Sequence, residues 1–240
     1  MVNSVGLCPW DWVCLCVHVH SSEASACGKS TARELVRAYK EAGYSGFALT
    51  NHFYHGNSGS NREGTWREFI QPYFDAYYEA CDEGAKLGFD VIFGIEEGVG
   101  NSKEFLCYNM DMDFLLTCEE LRNADRKQFT ELIHSAGGII IHAHPFRFAQ
   151  YMKAYYEPDF EGCDGIEVFN GNNRPEDAND KALAAALALS QERKMILTAG
   201  SDCHNCAGVS KVGLLLPRRV TNAAEFVDLL KSESYELKTE

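Results

Sequence analysis

The chain has 240 residues, 45% of them hydrophobic, and a net charge of −13. That length suits one large α/β domain with a full core, or at most two small ones. The acidic balance argues against a nucleic-acid polymer or a membrane surface as partner, both of which want basic patches, and no apolar stretch approaches the ~20 residues that span a bilayer. An anionic substrate stays open, because bound divalent cations would dominate the local field. Residues 1–12 lack a basic segment and a long apolar run and contain Pro9 and Asp11, so they do not read as a signal peptide. The ten cysteines are therefore expected as reduced thiols of a cytoplasmic protein.

Short apolar runs and amphipathic stretches alternate from end to end. The first run, over 13–17, is bounded by polar residues, as a buried parallel strand would be. It leads into His18-Val19-His20, where two imidazoles two residues apart on an extended strand point to one side. A capping box at Thr31–Glu34 opens a helix that ends at Gly43. A second strand over 46–50 leads to Asn51 and His52, and the Gly/Asn/Ser-rich insertion 53–64 is expected to be a mobile lid. A long helix follows over 66–87, then a strand over 91–95 that delivers Glu96. Residues 105–108 read as a further strand, 126–136 as a helix, and 138–141 as a strand ending in His142-Ala143-His144. Strand 165–169 carries Glu167, for which a structural hydrogen-bonding role is expected ahead of a catalytic one. Helix 177–191 and strand 195–199 lead to Ser201-Asp202-Cys203-His204, and a late strand at 212–215 and a helix at 223–231 close the pattern.

Strand–helix repetition with imidazoles and carboxylates after the strands suggests a barrel rather than an open sheet, because those ends share one face. Such a convergence points to a metal-centred site, since His, Asp and Glu are the ligands that borderline and hard divalent ions take. Cys203 and Cys206 form a C-x-x-C, which reads as coincidental to a metal-binding Asp202-x-His204. His134, inside a helix, has no expected part, and His55 is a pocket residue or simply exposed.

The ordered series His-Val-His-Ser, Thr-Asn-His, Gly-Ile-Glu, Ala-His-Pro-Phe-Arg, Gly-Ile-Glu-Val-Phe-Asn and Gly-Ser-Asp-Cys-His, over 18–204, resembles the PHP (polymerase and histidinol phosphatase) family of metal-dependent phosphoesterases. The resemblance implies a single α/β domain over 1–240, a distorted (β/α)7 TIM-like barrel with two or three divalent ions (Zn, Mn or Fe) at its mouth. Carried over by position, His18, His20, Glu96 and Asp202 hold one metal, and Glu96 bridges to a second that His144 also binds. His52 and His204 hold a third, joined by the residue after the His-x-His motif, for which Glu23 is the candidate. Many relatives place a histidine ligand between Glu96 and His142. This chain has none in 98–126, so His142 substitutes, or the second site is weaker, or two metals are used. Asn51 stands where an aspartate is common in the family.

The expected function is hydrolysis of a small phosphomonoester, because paired cations activate water and stabilise the leaving oxygen at phosphorus. Arg147 is the first candidate to hold phosphate oxygens, since a guanidinium matches them bidentately, with Arg174 and Lys29 behind it. Asp202 or His204 would relay a proton, and the general acid stays open. The alternatives are an amidohydrolase-like metal hydrolase cutting a C–N or C–O bond, and a catalytically degenerate PHP scaffold. The oligomeric state does not follow from the sequence.

Overall fold

The computed structural model describes residues 12–100, 103–150 and 152–239. The segment before the first strand, read above as no signal peptide, lies outside them apart from Trp12. Nine strands join in one sheet, with β1 at Val13–Val19, β2 at Gly46–His52, β3 at Asp90–Glu97, β4 at Phe105–Tyr108 and β5 at Ile139–His142. It continues with β6 at Gly165–Asn170, β7 at Ile196–Gly200, β8 at Gly213–Leu216 and β9 at Glu236–Lys238. The spatial order β7-β6-β5-β4-β3-β2-β1-β8-β9 is nearly a closed barrel. Its seam lies between β7 and β1, where His20 N donates to Cys203 O at 2.9 Å and Asp202 N to His18 O at 3.0 Å.

Seven strands form the barrel wall, as expected, but one of them runs backwards. β4 pairs antiparallel with both β3 and β5, while β1–β2–β3 and β5–β6–β7 are parallel. The cause is the connection. Only residues 98–104 separate β3 from β4, and a parallel crossover needs a dozen or more. The strand–helix alternation is also broken after β5, where the described residues of 143–164 cross to β6 without a helix. The barrel is thus a (β/α)7 pattern distorted at two places. β8 and β9 extend the sheet antiparallel beyond β1.

The helices cover the sheet by the usual apolar stripes. α1 (Ala32–Glu41) and α2 (Trp66–Leu87) each open on a capping box, from Thr31 to Glu34 and from Thr65 to Glu68, which satisfies otherwise orphaned helix N–H groups. α3 (Met112–Thr117) and α4 (Arg126–Ser135) follow β4, and α5 (Ala178–Leu189) follows β6. α6 (Ala223–Ser232) packs Phe226, Val227 and Leu230 onto a strand face made by Leu15, Val17, Ala48, Ile92, Tyr108 and Ile141. The opposite face of β1 and β2, through Cys16, Phe47 and Leu49, meets Leu35, Val36 and Tyr39 of α1.

One irregularity in β1 aims the site. Leu15 and Val17 share the α6-side cluster and Cys16 the α1-side cluster, so strict alternation would put Val19 with Val17. Val19 instead packs with Cys16, and the β1–β2 register shifts between Cys16 and Val19. A bulge of this kind re-aims the side chains that follow it. It turns His18 and His20 to one side together.

The 53–64 insertion is tied down, contrary to the lid expectation. Phe53 is buried among Trp66, Phe69 and Tyr73. Ala26 N donates to Asn57 O at 2.9 Å, Gly59 N to Ala24 O at 2.8 Å, and Arg62 Nε to Tyr54 O at 2.7 Å.

Candidate metal centre

Among the described residues, four overlapping sets of donor atoms, each within 4.8 Å of one another, meet at the barrel mouth. They are His18, His20 and Asp202; His18, Glu96 and His144; His52, Glu96 and Glu104; and His20, His52 and His204. Glu96 lies at the centre. Its Oε1 is 3.2 Å from His18 Nε2 and 3.0 Å from His144 Nε2, and its Oε2 is 2.8 Å from His52 Nδ1 and 3.4 Å from His20 Nε2. Asp202 Oδ1 is 3.3 Å from His20 Nε2 and 3.6 Å from His18 Nε2.

These groups suit divalent cations. His18 Nε2, His20 Nε2, His52 Nδ1 and Glu96 Oε2 are buried and crowd against one another without a well-aligned hydrogen bond among the described residues. Buried polar atoms are ordinarily paired, so several such atoms facing one another mark a ligand position. His144 and Asp202 take positive φ, at 27° and 54°, a strained backbone region in which functional residues are over-represented.

The electrostatics show how closely the charges are packed. Burial pulls the His20 imidazole down to about 3, with the His52 charge adding to it. His18 is also subject to burial, yet Glu167, Glu96 and Asp202 hold it well above its ordinary value. Burial works to raise the Glu96 and Asp202 carboxyls. The imidazoles around Glu96, and Arg147 beside Asp202, keep both well below the usual carboxylate range. Glu104 goes the other way, raised by burial and by the neighbouring Glu96 charge.

Behind the donors stands Glu167. Its Oε1 is 2.9 Å from His18 Nδ1, and its Oε2 accepts from His144 N at 3.0 Å and Asn170 Nδ2 at 2.9 Å. A carboxylate on the far nitrogen of an imidazole fixes ring orientation and leaves Nε2 as the donor. Gly200 is required beside it, since a Cβ there would sit 2.4 Å from Glu167 Oε1 and 2.5 Å from His18 Cβ.

Four of the expected site residues lie apart from these sets. His142 is the last residue of β5, paired with Phe105. Its ring packs 4.7 Å from Phe105 and 5.3 Å from Phe160, and its Nδ1 is 3.1 Å from Ala143 O. Glu23 caps α1, with Oε1 accepting from Ala32 N at 2.9 Å. Arg174 is exposed and borders a separate cleft with Glu176, Ser210 and Lys211. Lys29 is exposed, and its backbone N–H donates to His204 O at 2.8 Å. His55 pairs with Glu97 at 3.5 Å, His134 with Asp164 at 2.9 Å, and Cys203 Sγ with Asn205 O at 2.9 Å. The nine described cysteines are free thiols.

Arg147 reaches the centre. It forms an ion pair with Asp202 Oδ2, and its Nη2 donates to Asn170 Oδ1 at 2.9 Å. It borders a cavity of about 410 Å3 shared with Cys27, His52, Asn57, Glu104, Asn172, Asp202 and His204. An adjoining cavity of about 500 Å3 shares Asn57, Glu104 and Arg147 and adds Lys103, His144, Lys153 and Tyr156.

Sequence reading missed Glu104. Its Oε1 is 3.4 Å from His52 Nδ1 and its Oε2 is 3.6 Å from His144 Nε2. The other donors follow the ends of their strands, but β4 is reversed, so its start faces the mouth. An acid immediately before the run Phe105–Tyr108 was the available signal, once the short 98–104 connection had set the strand direction. Cys27 also borders the 410 Å3 cavity. Burial raises its thiol, but hydrogen-bonding contacts with His204 and His52 more than offset this and bring it down to about 6.

A family model described as PHP domain matches residues 17–196. The chain belongs to the PHP domain family. Among solved structures it is similar to a two-domain protein from Bacteroides vulgatus ATCC 8482 containing a predicted PHP-like metal-dependent phosphoesterase, at 14% identity and a TM-score of 0.69, over 99% of this chain and 68% of that one. A protein from Bifidobacterium adolescentis ATCC 15703, assigned as a metal-dependent phosphoesterase, matches at 16% identity and a TM-score of 0.55, over 90% of this chain and 95% of that one. An amidohydrolase from Chromobacterium violaceum, with sulfate bound, matches at 16% identity and a TM-score of 0.53, over 79% and 87%. At these identities the likeness is one of fold. No curated protein matches the chain. Among the described residues no helix is long and apolar enough to cross a membrane.

Proposed function

We propose that this chain is a metal-dependent hydrolase of small phosphomonoesters. The observation that carries the reading is a buried array of His and carboxylate donors opening on a cavity that Arg147 borders. His18, His20 and Asp202 would hold one ion, with Glu96 shared between it and a second ion held by Glu104 and His144. His52 and His204 would hold a third. Zn, Mn and Fe all suit mixed imidazole and carboxylate donors. When bound, such ions supply Lewis acidity, lowering the pKa of water toward about 7 and drawing charge from phosphoryl oxygens.

The protein's own groups do the rest. Glu167 orients His18 through Nδ1 and braces the backbone of His144. Arg147 is held over the cavity by Asp202 and Asn170, leaving its guanidinium placed to take phosphate oxygens. His204, a fifth exposed at its side chain, stands at the cavity wall with Nδ1 2.9 Å from Asp202 O, which fixes its ring beside the donors.

The test is phosphate release from a panel of phosphomonoesters after chelator stripping and add-back of Mn, Zn or Fe. Metal-dependent release supports the proposal, and the preferred ester narrows the substrate. The structural likeness to a protein named as an amidohydrolase makes amides and lactones the second panel. Turnover there with none on phosphoesters would move the reading to C–N or C–O chemistry. No turnover on either panel by protein carrying its ions would favour the scaffold.

A further inference from the structure

Behind His20 lies a relay of buried polar groups made by residues outside the donor sets. Ser21, Ser25 and Asn51 are each at most 2% exposed. Ser25 Oγ sits 3.3 Å from His20 Nδ1, accepts from His52 N at 3.0 Å and donates to Asn51 Oδ1 at 2.8 Å. Ser21 N donates to the same Asn51 oxygen at 2.7 Å, and Asn51 Nδ2 donates to Ser21 Oγ at 3.0 Å. The backbone holds these groups in place. Ser25 N donates to Ser21 O at 3.1 Å, Gly28 N to Ser25 O at 3.0 Å, and Ala26 N to Asn57 O at 2.9 Å. Gly28 lets the turn close, because a Cβ there would sit 2.5 Å from the Ser21 carbonyl.

Proton accounting along the relay leaves one arrangement. A backbone N–H only donates, so the Asn51 atom facing Ser21 N is the amide oxygen. That oxygen also faces Ser25, which puts the one hydroxyl proton of Ser25 on the Asn51 side. The backbone N–H of His52 takes one of the two acceptor positions left on Ser25 Oγ. His20 Nδ1 must then supply the proton for its own contact with Ser25, and in a neutral imidazole this leaves the lone pair on Nε2. Nε2 faces Asp202 Oδ1 at 3.3 Å and Glu96 Oε2 at 3.4 Å. The Nε2–H tautomer would donate to those carboxylates directly, and the relay withholds it.

We propose that Ser25 and Asn51 are positioning residues that lock His20 in its Nδ1–H tautomer and so commit Nε2 to a divalent ion. His18 is oriented through Nδ1 by a carboxylate, Glu167, whereas His20 is oriented by a neutral hydroxyl and a neutral amide. The consequence for ion binding rests on the metal-centre reading above. The tautomer itself depends neither on an ion nor on phosphoester chemistry.

The experiment uses the full chain with isotope-labelled histidine, stripped with chelator at neutral pH. Long-range proton–nitrogen correlation reads the tautomer of each ring from its two nitrogen shifts, and His20→Gln identifies the His20 signals by their loss. Wild type should carry the proton of His20 on Nδ1. Ser25→Ala removes the acceptor and should move that proton to Nε2. Zinc affinity, read by competition with a chelating dye, should fall about 10–100-fold with it. Asn51→Leu should act in the same direction, because it frees the Ser25 proton to face Nδ1. Asn51→Asp keeps an acceptor for Ser25 and should retain the wild-type tautomer and affinity. A wild-type His20 protonated on Nε2, or on both nitrogens, would overturn the proposal. So would a Ser25→Ala protein with the wild-type tautomer and zinc affinity. The wild-type spectrum decides by itself if the relay variants do not fold. A wild type that binds no zinc removes the metal-centre reading, while its spectrum still tests the relay.

Discussion

Two segments of this chain read His-x-His, and they come to different ends. At the β1 end, His18 and His20 both enter the donor array. At the β5 end, His144 Nε2 sits 3.0 Å from Glu96 Oε1, while His142 stays in the strand opposite Phe105 with its ring between Phe105 and Phe160. The i, i+2 rule holds only for extended backbone. β5 ends at His142, and the positive φ of His144 breaks the alternation there. At β1 the alternation is interrupted too, but the bulge falls before His18 and turns both rings together. One imidazole therefore lives among carboxylates and its near neighbour in an aromatic pocket.

Substitution at each end should break this symmetry most visibly. His20→Ala is expected to bring phosphoester turnover to background and to lower the bound metal while the protein stays folded. His142→Phe should leave metal content unchanged, and elemental analysis of the two variants checks both outcomes. Metal loss in His142→Phe would put that residue back among the ligands.

The next effect concerns the support behind His18. Gly200→Ala forces a Cβ against His18 and Glu167, and overpacking of this kind costs about 1–3 kcal/mol. Thermal melting should fall and metal affinity with it. Glu167→Gln leaves the packing intact but weakens the orienting contact at His18 Nδ1. Loss of such a partner typically costs about 10–100-fold in metal affinity, measurable by competition with a chelating dye. An unchanged affinity would mean that Glu167 serves only the backbone of His144.

The smallest effect separates His142 by pH. Burial pulls its imidazole down to about 3, whereas an unfolded histidine titrates near 6.5. Between these values the unfolded chain takes up a proton that the native state does not, so the stability is fully present above about 6.5 and is lost as the pH falls toward about 3. The slope is on the order of 1 kcal/mol per pH unit. Denaturant melts at pH 7 and pH 5.5 should show a smaller acid loss in His142→Phe than in wild type. Equal losses would mean that His142 does not carry this acid sensitivity.

Much of the site was legible because its ligands follow apolar runs, and parallel strands bring their ends together. His18, His20, His52, Glu96, His144, Asp202 and His204 were all found in this way, and the structure gathers all of them. Glu104 escaped because it precedes its strand, and the reversal of β4 is a property of a connection rather than of the strand. The 53–64 segment looked mobile from its Gly, Asn and Ser content, yet its restraint comes from partners far along the chain, Ala24 and Tyr73 among them.

By itself the sequence determined the alternation of strands and helices, the barrel class and the chemical kind of the site, since these depend on local periodicity and residue type. Tertiary structure alone decided which of two equivalent histidines meets the carboxylates, and which acid serves as a donor and which caps a helix. Those outcomes depend on strand direction, a single bulge and contacts between residues distant in the chain, none of which a local pattern encodes.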